Sequence, residues 1–309
     1  MTLDNYLLEL EEAEDQPRLS LLINLSSLDD SETETFKTWW ASISPGKRIQ
    51  LIDDLVTTAE ENVELDFEVI FKHALSDPEP QVKQKAISGL WESNDRMMIV
   101  PLMNLLRCDS SENVRASAAI ALGKFSLLAH MGEIPPTDGT SLEKLLLEVI
   151  QNPEETAEVR SRSLQAVAPL NSPQVREVIR KAYFSIDPKL RLSSLYAMGK
   201  TAEAEWLSIL MAEIHSENPE TRYEVAIALA EIGEEDAVTY LVPLIHDRDS
   251  EVQLAAVYAL GSIGGSLAEQ TLKACLTDDD ETIQEAAKDA LEELEGDEDP
   301  LGFKFHGSQ

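Results

Sequence analysis

Glu251-Val252-Gln253-Leu254-Ala255-Ala256-Val257-Tyr258-Ala259-Leu260-Gly261-Ser262-Ile263-Gly264 is the stretch whose reading decides the fold. Counted from Val252 as origin, apolar or small residues fall at offsets 0, 4, 7 and 8 (Val252, Ala256, Ala259, Leu260), a spacing that lines one face of an α-helix. Asp249-Ser250 just ahead of it supplies side chains that cap a helix start. Further back, Val238 to Ile245 forms a second amphipathic stretch, so the segment reads as a helical hairpin.

The same chemistry recurs outward from this hairpin. Equivalent origins are Val82, Val114, Val159, Leu190, Thr221, Val252 and Ile283, with successive gaps of 32, 45, 31, 31, 31 and 31 residues. Offset 7 is always small: Gly89, Ala121, Ala166, Ala197, Ala228, Ala259 and Ala290. Each origin follows a turn signal such as Asp77-Pro78, Asp187-Pro188 or Asn218-Pro219, where Pro suits the first helical turn. Length alone suggests about two domains, but a repeat takes precedence. Hairpins that cannot bury their apolar faces singly must stack, which predicts an A helix and a B helix per unit in a solenoid.

The segments Asn113 to Gly123 and Glu251 to Gly264 resemble HEAT repeats, of the short type named after phycobilisome lyase subunits and of bacterial character, and the resemblance covers roughly residues 66 to 295. It implies an all-α, right-handed α-solenoid of about seven HEAT-like helical hairpins with an N-terminal helical cap. For function it is less specific, since the family spans scaffolds, lyase chaperones and a few enzymes. HEAT repeats often carry an acid and, six residues later, a base that form a ladder between units. Asp77 with Lys83, Asp109 with Arg115 and Glu154 with Arg160 match, whereas Ser185 with Arg191, Ser216 with Arg222, Asp247 with Gln253 and Asp278 with Gln284 lack one partner. A HEAT-like enzyme, deoxyhypusine hydroxylase, needs several His-Glu dipeptides as iron ligands, and this sequence has none.

Three segments fall outside the period. Residues 1–65 read as a helical cap, with Ser31 and Glu34 as a capping box ahead of Phe36, Trp39 and Trp40, the tryptophans alternatively marking a binding patch. Residues 127–141 hold an insertion of irregular backbone around Pro135-Pro136 and Asp138-Gly139. Residues 296–309 form an acidic, flexible tail ending in Phe303-Lys304-Phe305, a short apolar motif able to dock, and the B-helix groove is one place it would dock.

Composition narrows the partners. There are 58 acidic side chains against 25 Lys plus Arg, a net charge of −33, with 43 % apolar residues. That apolar fraction supports a core rather than a disordered acidic chain. The charge argues against nucleic acid, whose affinity comes from Lys and Arg releasing counterions, and against the basic cleft of a HEAT-like DNA glycosylase. It leaves open an acidic mimic that occupies a basic protein. Only Cys108 and Cys275 are present, in no metal-binding or disulfide pattern, which suits a cytoplasmic protein. The first residues lack a secretory signal, and no run is long enough to span a membrane. No phosphate loop, nucleophile elbow or zinc-hydrolase motif occurs, so the expectation is no enzyme, no cofactor and no metal. His215 and His246, 31 residues apart on adjacent repeats, read as repeated turn residues rather than ligands.

Offsets 2 and 6 of the B helices face away from the buried stripe. In repeats four to six they read Leu192 and Tyr196, Tyr223 and Ile227, Leu254 and Tyr258. With helices about 8–10 Å apart, these six predict an apolar, phenol-bearing patch for a protein or peptide partner. Tight curvature burying offset 6 is the alternative. Arg191 and Arg222, short of ladder acids, are expected to border the patch and meet a partner's carboxylate. The sequence thus points to a non-catalytic scaffold or adaptor. The rival implied by the family resemblance is a lyase-like accessory to tetrapyrrole chromophore attachment.

Overall fold

A computed structural model describes residues 3–12 and 19–298. The chain divides into two compact units, one ending at Val167 and the other beginning at Ala168. Among the described residues there are helices and no strands: an all-α chain of stacked hairpins, the architecture of an α-solenoid.

The first unit opens with α1 (Leu3–Glu12) and α2 (Leu19–Leu22). Four hairpins follow: α3 (Asp30–Ser42) with α4 (Pro45–Glu61), α5 (Glu68–Ala74) with α6 (Pro80–Gly89), α7 (Ile99–Cys108) with α8 (Glu112–His130), and α9 (Pro136–Gln151) with α10 (Ala157–Val167). α4, α6, α8 and α10 pack in sequence as the B layer. The cap therefore continues the stack, because α4 packs on α6 as a B helix and α3 on α5 as an A helix. Its capping box is Asp29 with Glu32, two residues before the expected pair. Trp39 and Trp40 are buried: Trp40 stacks near Phe36 and donates its indole N–H to Asp77 at 2.8 Å, so the pair is core rather than an exposed patch.

The 127–141 segment differs from expectation. Helix α8 runs on through His130 and α9 begins at Pro136, so the extra residues lengthen two helices around a short turn. Pro136 opens a helix because its missing N–H would be unpaired there in any case. A Cβ on Gly139 would stand 3.0 Å from that of Ala129, so its lack of a side chain lets α8 and α9 cross closely.

In the second unit α11 (Pro173–Tyr183) pairs with α12 (Pro188–Lys200), and α13 (Leu207–Glu213) with α14 (Pro219–Ile232). Next, α15 (Val238–Leu241) with its 3-10 continuation Val242–His246 pairs with α16 (Ser250–Ile263), and α17 (Ser266–Cys275) with α18 (Glu281–Glu298). Pro243 lacks the N–H an α-helix would use at that point, which accounts for the switch to 3-10 geometry. α18 extends through Glu298, so the start of the expected tail is helical; Phe303 to Phe305 lie outside the described residues.

The sequence stripe is the core. Offset 4 (Ala86, Ala118, Ser163, Ser194, Val225, Ala256, Ala287) is fully buried in every repeat. Small size there has a geometric purpose, seen one position past offset 8. A Cβ on Gly199 would lie 2.7 Å from Ala228 Cα, and one on Gly261 2.7 Å from Ala290 Cβ. In these two repeats offset 9 of one B helix thus meets offset 7 of the next with no space for a methyl group. Gly199→Val should lower stability by about 1–3 kcal/mol through overpacking, whereas Gly46→Ala, with nothing within 4 Å, should be neutral or stabilising by up to ~1 kcal/mol. Urea melts of the two variants check this.

Candidate functional site

The second unit presents one face of α12, α14 and α16 to solvent. At about 100° per residue, offsets −1, 2, 3 and 6 share a face opposite the buried stripe. Asp187, Asn218 and Asp249 cap the three helices with their side chains, and Pro188 and Pro219 occupy the first turn. α14 ends on Gly233 in a left-handed conformation (φ 72°) that a side chain would strain.

None of the six patch residues is buried. Tyr258 is 53 % and Tyr223 37 % exposed, while Leu192, Tyr196, Ile227 and Leu254 are half-buried. Leu192 and Tyr223 line a shared groove of about 390 Å³ with Pro219. The Lys200 ammonium sits 5.6 Å from the Tyr196 ring centre and pairs with Glu231. Burial raises the Tyr196 phenol above its ordinary range, so it stays a neutral donor.

The arginines require a correction. Arg222 is 5 % exposed and makes two 2.7 Å bonds to Asp247, with a third to the Ser216 carbonyl. Arg191 donates to Glu213 at 2.6 Å beside the Tyr183 ring. Neither borders the patch as a free cation. The physical reason is the direction of the ladder. Each cation reaches forward to an acid of the following hairpin: Arg48 to Asp77, Lys83 to Asp109, Arg115 to Glu155, Arg191 to Glu213 and Arg222 to Asp247. Arg48 Nε lies 2.9 Å from Asp77 without hydrogen-bond alignment, its Nη1 donating instead to Ile43 O. The six-residue spacing serves a neutral role. Arg115, Arg222, Gln253 and Gln284 each donate to the carbonyl six residues back, closing the turn from the A helix. Gln can do this as well as Arg, which is why Gln stands there in the last repeats.

Acidic side chains, missed by a search confined to offsets 2 and 6, line the groove. Glu220, Glu224, Asp249 and Glu251 line it along with Leu192 and Tyr223. Glu220 and Glu251 occupy offset −1 and Glu224 offset 3, so the repeat register contained the signal. Burial, reinforced by Glu220, holds the Glu224 carboxyl above its usual range. Glu220, Glu224 and Glu251 have no ion-pair partner among the described residues.

The first unit has its own hollow, about 630 Å³, between α6 and α8. Ile87, Trp91, Met98, Ile120 and Phe125 line it, and Lys124, which donates to the Trp91 carbonyl at 2.8 Å, stands at its wall. Ile120 is the offset-6 residue of its repeat; Trp91 comes after the helix end and carried no periodic signal. Burial lowers the Lys124 ammonium below its ordinary range. Among the described residues no group of three His, Cys, Asp or Glu side chains is placed to hold a metal, and no helix is long and apolar enough to cross a membrane.

The sequence matches the family model described as HEAT repeats over residues 67–148 and 207–292, more than half of the chain. The residues between them include α10 and α12, where offset 4 is Ser163 or Ser194 rather than Ala. No curated protein matches the sequence. Among solved structures, an engineered protein is similar at 19 % identity over 94 % of this chain and 88 % of its own, with a TM-score of 0.43. The Escherichia coli protein YibA is similar at 15 % identity over 87 % of this chain and 98 % of its own, TM-score 0.45. Human deoxyhypusine hydroxylase in complex with glycerol is similar at 18 % identity over 95 % and 96 %, TM-score 0.37.

The Arg222–Asp247 pair makes stability pH-dependent. The hydrogen bond from Arg222 holds the Asp247 carboxyl below its usual range, with burial opposing. Its contribution is present above the unfolded carboxylate value of about 3.9 and is lost as pH falls through the lower folded value. Asp247→Asn should cost about 3 kcal/mol near neutral pH, and its deficit relative to wild type should shrink below about pH 4. Urea melts across that range measure the gap.

Proposed function

The chain belongs to the HEAT-repeat family, and from that premise we propose that it is a non-catalytic scaffold or adaptor that receives a protein or peptide segment on the B-helix face of repeats four to six. HEAT repeats commonly serve as protein-interaction scaffolds, and the finer assignment is carried by one observation: Leu192, Tyr196, Tyr223, Ile227, Leu254 and Tyr258 all retain solvent access on one face of α12, α14 and α16. Fully buried aliphatic side chains contribute about 1.5–3 kcal/mol each, and half-buried ones keep part of that in reserve for a partner. Phenols add hydrogen bonds at little entropic cost. α14 packs against both α12 and α16, with Gly199 against Ala228 at the first of these contacts, so the surface is preformed and loses little order on binding. The absence of His-Glu dipeptides in the sequence supports a non-catalytic role.

Affinity capture from the native cell tests this. Proteins retained by the wild-type chain should be lost with Tyr196→Ala plus Tyr258→Ala, while the helical circular-dichroism spectrum stays the same. Unchanged capture would overturn the assignment.

The hollow of the first unit supports a second reading, an accessory that holds a tetrapyrrole. Its lining is apolar apart from a few small serines, with Lys124 and Glu60 as the charged groups, and it suits a flat apolar body whose carboxylate is set against Lys124 and away from Glu60. Incubation with biliverdin should then change the visible absorbance, and Trp91→Ala with Lys124→Gln should abolish the change. A spectrum identical to the free pigment removes this reading.

A further inference from the structure

We propose that the segment received by the second unit is cationic as well as apolar, its Lys or Arg side chains set against Glu220, Glu224 and Glu251 while its apolar side chains lie on Leu192 and Tyr223. This rests on the groove assignment above and adds the sign of the partner's charge.

Three observations carry it. Glu220, Glu224 and Glu251 line the same groove as Leu192 and Tyr223 and have no ion-pair partner among the described residues. The neighbouring cations are already engaged, Arg191 with Glu213, Arg222 with Asp247 and Lys200 with Glu231. Asp249 already accepts from the backbone N–H groups of Glu251 and Val252, so the three glutamates are the groove carboxylates left without a cation of their own. A partner of neutral or acidic character would cover these carboxylates and leave them desolvated without compensation. A cationic partner would instead supply the missing donors and make charge-assisted hydrogen bonds. Finally, the whole chain carries −33, a field that draws in cationic segments and repels anionic ones.

Panning a random dodecapeptide display library against the full chain tests the inference. Selected peptides should combine Lys or Arg with Leu, Phe or Tyr, and their binding should weaken as salt is raised. The triple substitution Glu220→Gln, Glu224→Gln, Glu251→Gln should weaken a selected peptide about tenfold or more. Glu285→Gln, Glu292→Gln, Glu293→Gln on α18 removes the same charge elsewhere and should change it by about twofold or less. Thermal melts establish that both variants are folded. Peptides without cationic enrichment that still lose affinity for Leu192→Ala plus Tyr223→Ala would sink the charge inference and leave the groove standing. Cationic peptides indifferent to that double substitution would sink both. Equal weakening by the two triple variants would reduce the attraction to the general field and overturn the inference, as would a library that yields no binder.

Discussion

The close approach of neighbouring B helices is the constraint on which the rest of this structure depends. Glycine at offset 9 faces alanine at offset 7 of the next helix, as in Gly123 against Ala166, Gly199 against Ala228 and Gly261 against Ala290. At Gly199 and Gly261 a side chain would meet the next helix at 2.7 Å, and at Gly123 at 3.3 Å, so packing there is dense and direct. The consequence is a B layer whose buried face is spent on its neighbours and whose opposite face is left for solvent and partners. Larger side chains are displaced to offsets 2 and 6, where the tyrosines of repeats four to six stand.

Charge follows the same division. Cations are scarce, and the ladder claims Arg48, Lys83, Arg115, Arg191 and Arg222 for inter-hairpin pairs. For the buried pairs among them, such as Arg222 with Asp247, desolvation offsets much of the attraction, while loss of one partner leaves a costly unpaired charge. Their effect on function is indirect. With the arginines committed, the exposed face of the second unit is left with uncompensated carboxylates beside apolar side chains, and that imbalance determines which partners fit.

Much of the fold was legible from residue spacing. The stripe at offsets 0, 4, 7 and 8 named buried positions in most repeats, with Gly89, Ala121, Thr221 and Leu291 only half-buried, because a helix repeats its faces with a fixed period. The reading failed where the period said nothing. Residues 127–141 contain Pro135-Pro136 and Asp138-Gly139, signals of a turn, yet Pro136 starts a helix and Gly139 serves an interhelical contact. Trp91 lies beyond the end of its helix and lines a hollow of which offset 6 marked only Ser88 and Ile120. The capping region looked unrelated to the repeats, although α3 and α4 join the stack, because α4 matches the others in its Arg48–Asp77 pair rather than in small residues.

Sequence by itself determined the hairpins, most of the buried stripe and the excess of acid, since these follow from local periodicity and composition; offset 2 is exposed or half-buried in repeats four to six but buried at Ala116 and Ser161. Tertiary structure alone decided which side chain each charge meets. Arg222 has Ser216 six residues before it and no acid there, and the sequence therefore made it a free cation; the fold brings Asp247 from the next hairpin to 2.7 Å. Pairing between hairpins depends on how closely the backbones approach, and a linear spacing contains no distance between helices that are far apart in the chain.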